Sequence, residues 1–176
     1  MPLLTNQAKV ILDMLMAQAG TQAPEKEFTF TTPVAHGLSY KICNPDHKDF
    51  KTKVAQCWDY VEASAKRGGP SGRITAEDLV KRVLNRQSDL WVCVSEQTGE
   101  IKGSFTISEA NYPRDKGIFS ESCGGEFVFT DMFPMVEEFY KGRGYTFVEV
   151  VGRKGWEREL GPLGYKLEYI SIHKRI

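Results

Sequence analysis

The apolar residues of this chain fall into short runs whose period changes along its length. From Phe28 to Thr32, and again from Leu38 to Cys43, they alternate with polar residues, the pattern of half-buried strands. Pro33 stops the first run, and Asn44-Pro45-Asp46 is a turn signal after the second. Phe50, Val54, Cys57, Trp58 and Val61 then recur at helical spacing and predict a helix over about residues 48–66. Gly68 to Gly72 breaks it. Thr75-x-x-Asp78 is a capping-box variant that opens a second helix, with Leu79, Val80, Val83 and Leu84 apolar. Leu90 to Ser95 and Ile101 to Ser108 predict a hairpin around Gln97-Thr98-Gly99-Glu100. Asn111 to Gly125 reads as a polar, mobile stretch, and Glu126 to Thr130 as the next strand. Pro134 to Tyr140 predicts a short helix with proline in its first turn, stopped by Gly142-Arg143-Gly144. Phe147 to Val151 is a strand; Trp156, Leu160 and Leu163 form a short helix closed by Gly161 and Gly164; Tyr165 to His173 alternates as a last strand.

Ahead of these elements, Thr5 can cap a helix over about residues 6–19. Leu4, Ala8, Ile11 and Leu15 form one apolar stripe on it, and Val10, Met14 and Ala17 a second beside it. So wide an apolar face is expected to dock on its own domain, on a partner or on a copy of itself. Gly20 to Glu27, with Pro24, reads as a linker. The expected organisation is therefore an N-terminal amphipathic helix and linker over residues 1–27, followed by one domain over residues 28–176.

Composition narrows the function classes. A chain of 176 residues suits one well-cored domain, and 41% apolar and 26% charged residues are ordinary for a globular one. Lys plus Arg equals Asp plus Glu at 23 each, so no global field draws the chain to nucleic acid or anionic membrane. The basic residues near the C-terminus (Arg153, Lys154, Arg158, Lys166, Lys174, Arg175) are interleaved with Glu149, Glu157, Glu159 and Glu168. Cys43, Cys57, Cys93 and Cys123 show no C-x-x-C, and Cys57 and Cys93 sit in apolar patterns as core thiols. Cys43 and His47 are too few to hold a metal, with His36 and His173 far off in sequence, so no metal site is expected. No run is long and apolar enough to span a membrane. Absence of Lys or Arg before Lys9, with Asp13 in the apolar stretch, argues against a secretory signal.

The order of elements from Leu38 onward, together with the strand–helix–strand tail running into Gly164-Tyr165, resembles the GCN5-related N-acetyltransferase (GNAT) fold. That resemblance implies an α+β architecture: a mixed, mostly antiparallel twisted sheet flanked by helices, here with an N-terminal helical extension. It also implies acetyl-CoA as cofactor, its pyrophosphate held by a loop between the fourth strand and the next helix, written Arg/Gln-x-x-Gly-x-Gly/Ala. Glycines there let the backbone approach, and the helix N-terminus favours anions. The segment expected at that place, Thr130 to Glu138, contains no glycine and no basic residue; Asp131, Glu137 and Glu138 are acidic, and Pro134 lacks a donor. The connection from Thr130 to Thr146 also reads as too short for a wide loop plus a full-length helix. Gly142-Arg143-Gly144 lies at the C-terminal end of its helix, where the dipole repels anions. The family's Asn position at the end of its fifth strand falls on Arg153. The family's acid, a Tyr seven residues on, falls on Leu160, which cannot donate a proton; Tyr165 or Tyr169 could stand in only with a different register. Glu126 is the remaining candidate for a general base, and Val128, Phe129, Thr130 and Arg153 are the residues that would meet a cofactor.

These departures lead to an expectation of a degenerate, non-catalytic GNAT-like protein with no cofactor, working as a structural or binding component of an assembly. The wording Gly-Arg-Lys-Gly-Trp-Glu-Arg, Gly152 to Arg158, is similar to acetyltransferase-like proteins of tailed bacteriophages, which implies a virion or host-cytoplasmic setting. Contact with a protein partner, or self-assembly, is expected through the N-terminal helix. The alternative is an active acetyl-CoA-dependent N-acyltransferase using Glu126 as base, with a gap between strands near Val128 and Val148 receiving the thioester. A more remote one is a nucleic-acid-binding module stacking bases on Trp156, Tyr165 or Tyr169.

Overall fold

The computed structural model describes residues 26–68, 74–152 and 155–168, together with Val10 and Asp13. The elements are β1 (Phe28–Thr31), β2 (Leu38–Cys43), α1 (Phe50–Gly68), α2 (Ala76–Leu84), β3 (Ser88–Ser95), β4 (Ile101–Asn111), β5 (Lys116–Gly125), α3 (Phe129–Lys141), β6 (Phe147–Val150) and α4 (Trp156–Leu160). A 3₁₀ turn, Gly161–Leu163, follows α4 and ends at Gly164 in the left-handed region. The strands form one six-stranded sheet in sequence order. Neighbours from β1 to β5 are antiparallel, and β5 and β6 are parallel, joined by α3 as the crossover.

Both faces of the sheet are covered, and β3 shows why its run is apolar without a break. Leu90, Val92 and Val94 face α1 and α2, where they meet Phe50, Val54, Cys57, Val61, Leu79 and Val83. Trp91 and Cys93 face the other way into Phe105, Ile107, Ile118, Phe133, Val136 and Phe139. Alternate side chains of a central strand thus feed two cores. Trp91 is fully buried, stacked on Phe105 at 5.5 Å and edge-on to Phe139 at 5.3 Å. Its indole N–H donates to the Tyr140 hydroxyl at 3.1 Å, which in turn donates to Asp89 at 2.6 Å. Burial first, then the Asp89 charge, holds the Tyr140 phenol far above its ordinary pKa.

The opening of α2 follows the sequence reading. Thr75 caps the helix, its hydroxyl accepting from the Asp78 N–H at 3.2 Å while the Asp78 carboxylate accepts from the Thr75 N–H at 3.1 Å. Those bonds hold the Asp78 carboxyl below its usual pKa, the backbone bond contributing most and the Thr75 hydroxyl next. A depressed carboxylate adds stability at pH values above its unfolded pKa and loses it as pH falls through the folded one. Thr75→Ala is therefore expected to cost about 1 kcal/mol at neutral pH. The gap between mutant and wild type should narrow in acid, and urea midpoints measured across pH check both statements.

Several expectations are corrected. Asn111–Gly125 is not a loose stretch: its residues 116–125 are β5, paired to β4 on both sides of a bulge at Glu121. Glu126–Thr130 is not a strand: α3 begins at Phe129, with Phe129, Met132, Phe133, Val136, Phe139 and Tyr140 on its inner face. Pro134 therefore lies inside α3, on its exposed side, and the helix has 13 residues, so the connection is long enough for a full one. Residues 165–168 form no strand, and the rest of the expected last strand lies outside the described residues, as do the linker up to residue 25 and the break at 69–73. Of the expected N-terminal helix only Val10 and Asp13 are described; both are helical, and Asp13 pairs with Lys51 on α1.

Candidate functional site

β5 and β6 run side by side only from Gly117 opposite Phe147 to Ser120 opposite Val150. β6 ends there, while β5 continues to Gly125, still bonded to β4. The divergence opens a cleft of about 430 Å³. Its floor is Ser120–Gly125 with Val150–Gly152; Ser64 and Arg67 of α1 flank it, as do Phe127, Phe129 and Trp156.

A β-bulge shapes the floor. Thr106 faces Ser122 and Ile107 faces Ser120, which leaves Glu121 as the extra residue on β5. Its side chain, fully buried, is taken by the Arg82 guanidinium of α2 and by the Ser88 hydroxyl, which donates to it at 2.8 Å. Next to it the Thr106 and Ser122 hydroxyls bond at 2.9 Å. Burial pushes the Cys123 thiol up to about 12, which disfavours its thiolate.

The turn from β5 into α3 is Glu126–Val128, preceded by Gly124 and Gly125. The segment expected to lack glycine thus lay too far along the chain, and the true approach carries two. Packing accounts for both. A Cβ on Gly124 would lie 2.4 Å from the Tyr60 carbonyl oxygen of α1, and Gly125, at φ +121°, would place one 2.3 Å from Gly103 Cα. Val128 caps α3 with no side-chain bond, and its N–H lies 3.4 Å from the Tyr40 hydroxyl. Asp131 occupies the first turn of α3, its carboxylate 2.5 Å from His36 Nδ1. His36 holds φ +50° in the β1–β2 turn, in the left-handed region that Asn, Asp and His enter more often than other side chains.

The sequence-derived site residues are dispersed. Glu126 is exposed, bonds through its N–H to the Lys102 carbonyl at 2.9 Å, and does not line the cleft. Phe129 does line it; Thr130 is exposed on the first turn of α3; Arg153 lies outside the described residues. Leu160, on which the expected acid position falls, is buried. Tyr165 lies outside the cleft lining: its hydroxyl donates to Glu137 at 2.7 Å and its ring packs edge-on to Phe133, burial raising its pKa strongly. Tyr169 is outside the described residues. Aromatic rings close one side instead. Phe129 meets Trp156 at 5.3 Å and stacks on Phe127 at 6.1 Å, and Trp156 rests on Gly152, where a Cβ would come within 3.0 Å of the indole. Sequence reasoning missed Glu121 and this aromatic wall. The usable signal was the helical spacing from Phe129 to Tyr140, which competes with the strand reading of Phe127–Phe129 and places the turn just after Gly124-Gly125.

Among the described residues no group of three His, Cys, Asp or Glu could hold a metal, and no helix is long and apolar enough to cross a membrane. Nor does the turn fit the diphosphate of acetyl-CoA. Asp131 and Glu126 bring negative charge to the helix N-terminus, the residues from Gly124 to Asp131 include no Lys or Arg, and the Val128 amide faces Tyr40.

No protein-family model matches the chain, and no curated protein is similar to it in sequence. Solved structures are similar. An aminoglycoside acetyltransferase from an uncultured soil metagenomic sample, in complex with sisomicin, aligns with a TM-score of 0.56 at 12% identity over 80% of this chain and 97% of that one. A GNAT family acetyltransferase of Staphylococcus aureus aligns at 0.54 and 14% identity, over 80% of this chain and 99% of its own. A predicted acetyltransferase of Clostridium acetobutylicum, with acetyl-CoA, aligns at 0.55 and 14%, over 77% and 96%. Identities this low speak to architecture and leave activity open. A six-stranded, mostly antiparallel open sheet with helices on both faces, splayed where its parallel pair parts, gives this chain the GNAT fold.

Proposed function

We propose that this protein is a non-catalytic member of the GNAT architecture that works by binding, as a component of a larger assembly. The observation that carries the reading is Asp131 in the first turn of α3, bonded to His36: it sets the chain's own negative charge beside the helix terminus where a diphosphate would have to sit. The buried Leu160 where an acid is expected, and the aromatic contact between Phe129 and Trp156, support it. A virion setting is supported by the wording of Gly152 to Arg158, similar to acetyltransferase-like proteins of tailed bacteriophages, and a role for the N-terminal segment in assembly by its wide apolar face.

An active acetyl-CoA-dependent N-acyltransferase is the second reading. What favours it is the splayed cleft itself, with Glu121 in its floor, although the Glu121 carboxylate is buried beneath it and Arg82 and Ser88 engage both its oxygens. Titration calorimetry of the full chain with acetyl-CoA, at concentrations up to about 1 mM, a Kd scale of about 4 kcal/mol, separates them. The binding reading expects no saturable heat. Saturable heat together with acetyl transfer to an amine would replace it with the enzyme.

A further inference from the structure

Beyond Ser120 the backbone of β5 has hydrogen-bonding partners on one side only. β4 pairs with it as far as Gly125, but the β6 pairing stops at Ser120–Val150, and among the described residues nothing bonds to the cleft-facing edge of Glu121–Gly125. A strand edge left in a cleft is a template for another strand, because its N–H and C=O groups have no protein partner. The walls match what a strand presents. One is aromatic, Phe129 and Trp156; the other, on α1, is Ser64 and Arg67. Alternate side chains of an inserted strand would meet the two in turn. The open edge is about 17 Å long at the usual strand rise. Charge completes the match. Arg158 is bound to Glu159 and Glu121 to Arg82, whereas Arg67 donates only to the Ala63 carbonyl at 3.2 Å and has no acidic partner among the described residues.

We infer that the cleft takes an extended polypeptide segment of a partner protein, added as a strand to the edge of β5 and carrying a carboxylate that meets Arg67. The inference rests on the binding reading above and names the class of partner.

The test is NMR of the isotope-labelled full chain titrated with acetyl-Val-Ala-Val-Ala-Val-Asp as probe. Shift changes should concentrate at Glu121–Gly125 and Val150–Gly152, and hydrogen exchange of the cleft-facing amides should slow by about tenfold. The same peptide N-methylated at alternate amides should bind about tenfold more weakly. Gly155→Phe should also weaken binding by about tenfold; Gly155 lines the cleft, and a Cβ there meets nothing within 4 Å, so the ring can fill the space while the melting temperature stays unchanged. Absence of shifts at millimolar peptide, equal binding of the methylated peptide, or indifference to Gly155→Phe overturns the inference. If the peptide fails and acetyl-CoA is also silent, the strand proposal falls alone. If acetyl-CoA shifts the same amides and is turned over, the binding reading falls with it.

Discussion

Replacing Arg82 by alanine is expected to destabilise the protein by about 2–4 kcal/mol, somewhat below the figure for breaking a fully buried pair because Arg82 is partly exposed. The loss comes from what remains. Glu121 stands at the bulge of β5 with its side chain wholly out of solvent, and without the guanidinium its charge keeps only the Ser88 hydroxyl. The bulge fixes where that carboxylate points, so it cannot turn to water without unpairing β5 from β4. Glu121→Gln placed on the Arg82→Ala background removes the stranded charge and keeps an acceptor for Ser88. It should recover most of the loss, giving a coupling energy of about 1–3 kcal/mol in a double-mutant cycle read from urea midpoints. Additive losses would mean that the pair is incidental and that the cleft floor is held by the sheet alone.

The parts of this fold that were legible in the sequence are those where local pattern and tertiary environment agree. β2 alternates and is found at Leu38–Cys43 as read; Phe50, Val54, Cys57 and Val61 mark the buried face of α1; Thr75 and Asp78 make the capping box they spell. β5 was illegible because its sequence, Lys-Gly-Ile-Phe-Ser-Glu-Ser-Cys-Gly-Gly, is poor in strand formers. Its neighbours make it a strand. The Phe147 ring covers Gly117, where a Cβ would fall 2.3 Å from the ring, Ser122 bonds Thr106, and Gly124 and Gly125 admit α1 and β4. With β5 taken for a loop, Phe127 and Phe129 take on the pattern of a strand, and the expected phosphate turn and base shift towards the C-terminus. Glu126 became the base on that register. The buried carboxylate beneath the cleft is Glu121, whose partners on α2 and β3 are far away in sequence and give no local sign. Leu160, the residue expected at the acid's position, is buried on α4.

Gly124→Ala is expected to cost about 3 kcal/mol, the upper end of what overpacking costs. The added methyl would lie 2.4 Å from the Tyr60 carbonyl oxygen and 3.1 Å from its carbonyl carbon. These are backbone atoms in the middle of α1, so no side-chain rotation relieves the contact, and the helix must lift from the sheet along the row where Val54, Cys57 and Val61 seal the core. Gly155→Ala serves as the control: its Cβ meets nothing within 4 Å, and the change should stay within about 0.5 kcal/mol. The comparison decides what the glycine pair before α3 is for. A glycine kept so that a backbone can approach a diphosphate would tolerate a methyl in the empty protein, losing ligand and not stability. A glycine kept so that α1 can lie against β5 would lose stability with no ligand present. Denaturation of Gly124→Ala without any added nucleotide therefore separates the two. A large loss ties the glycine to the architecture.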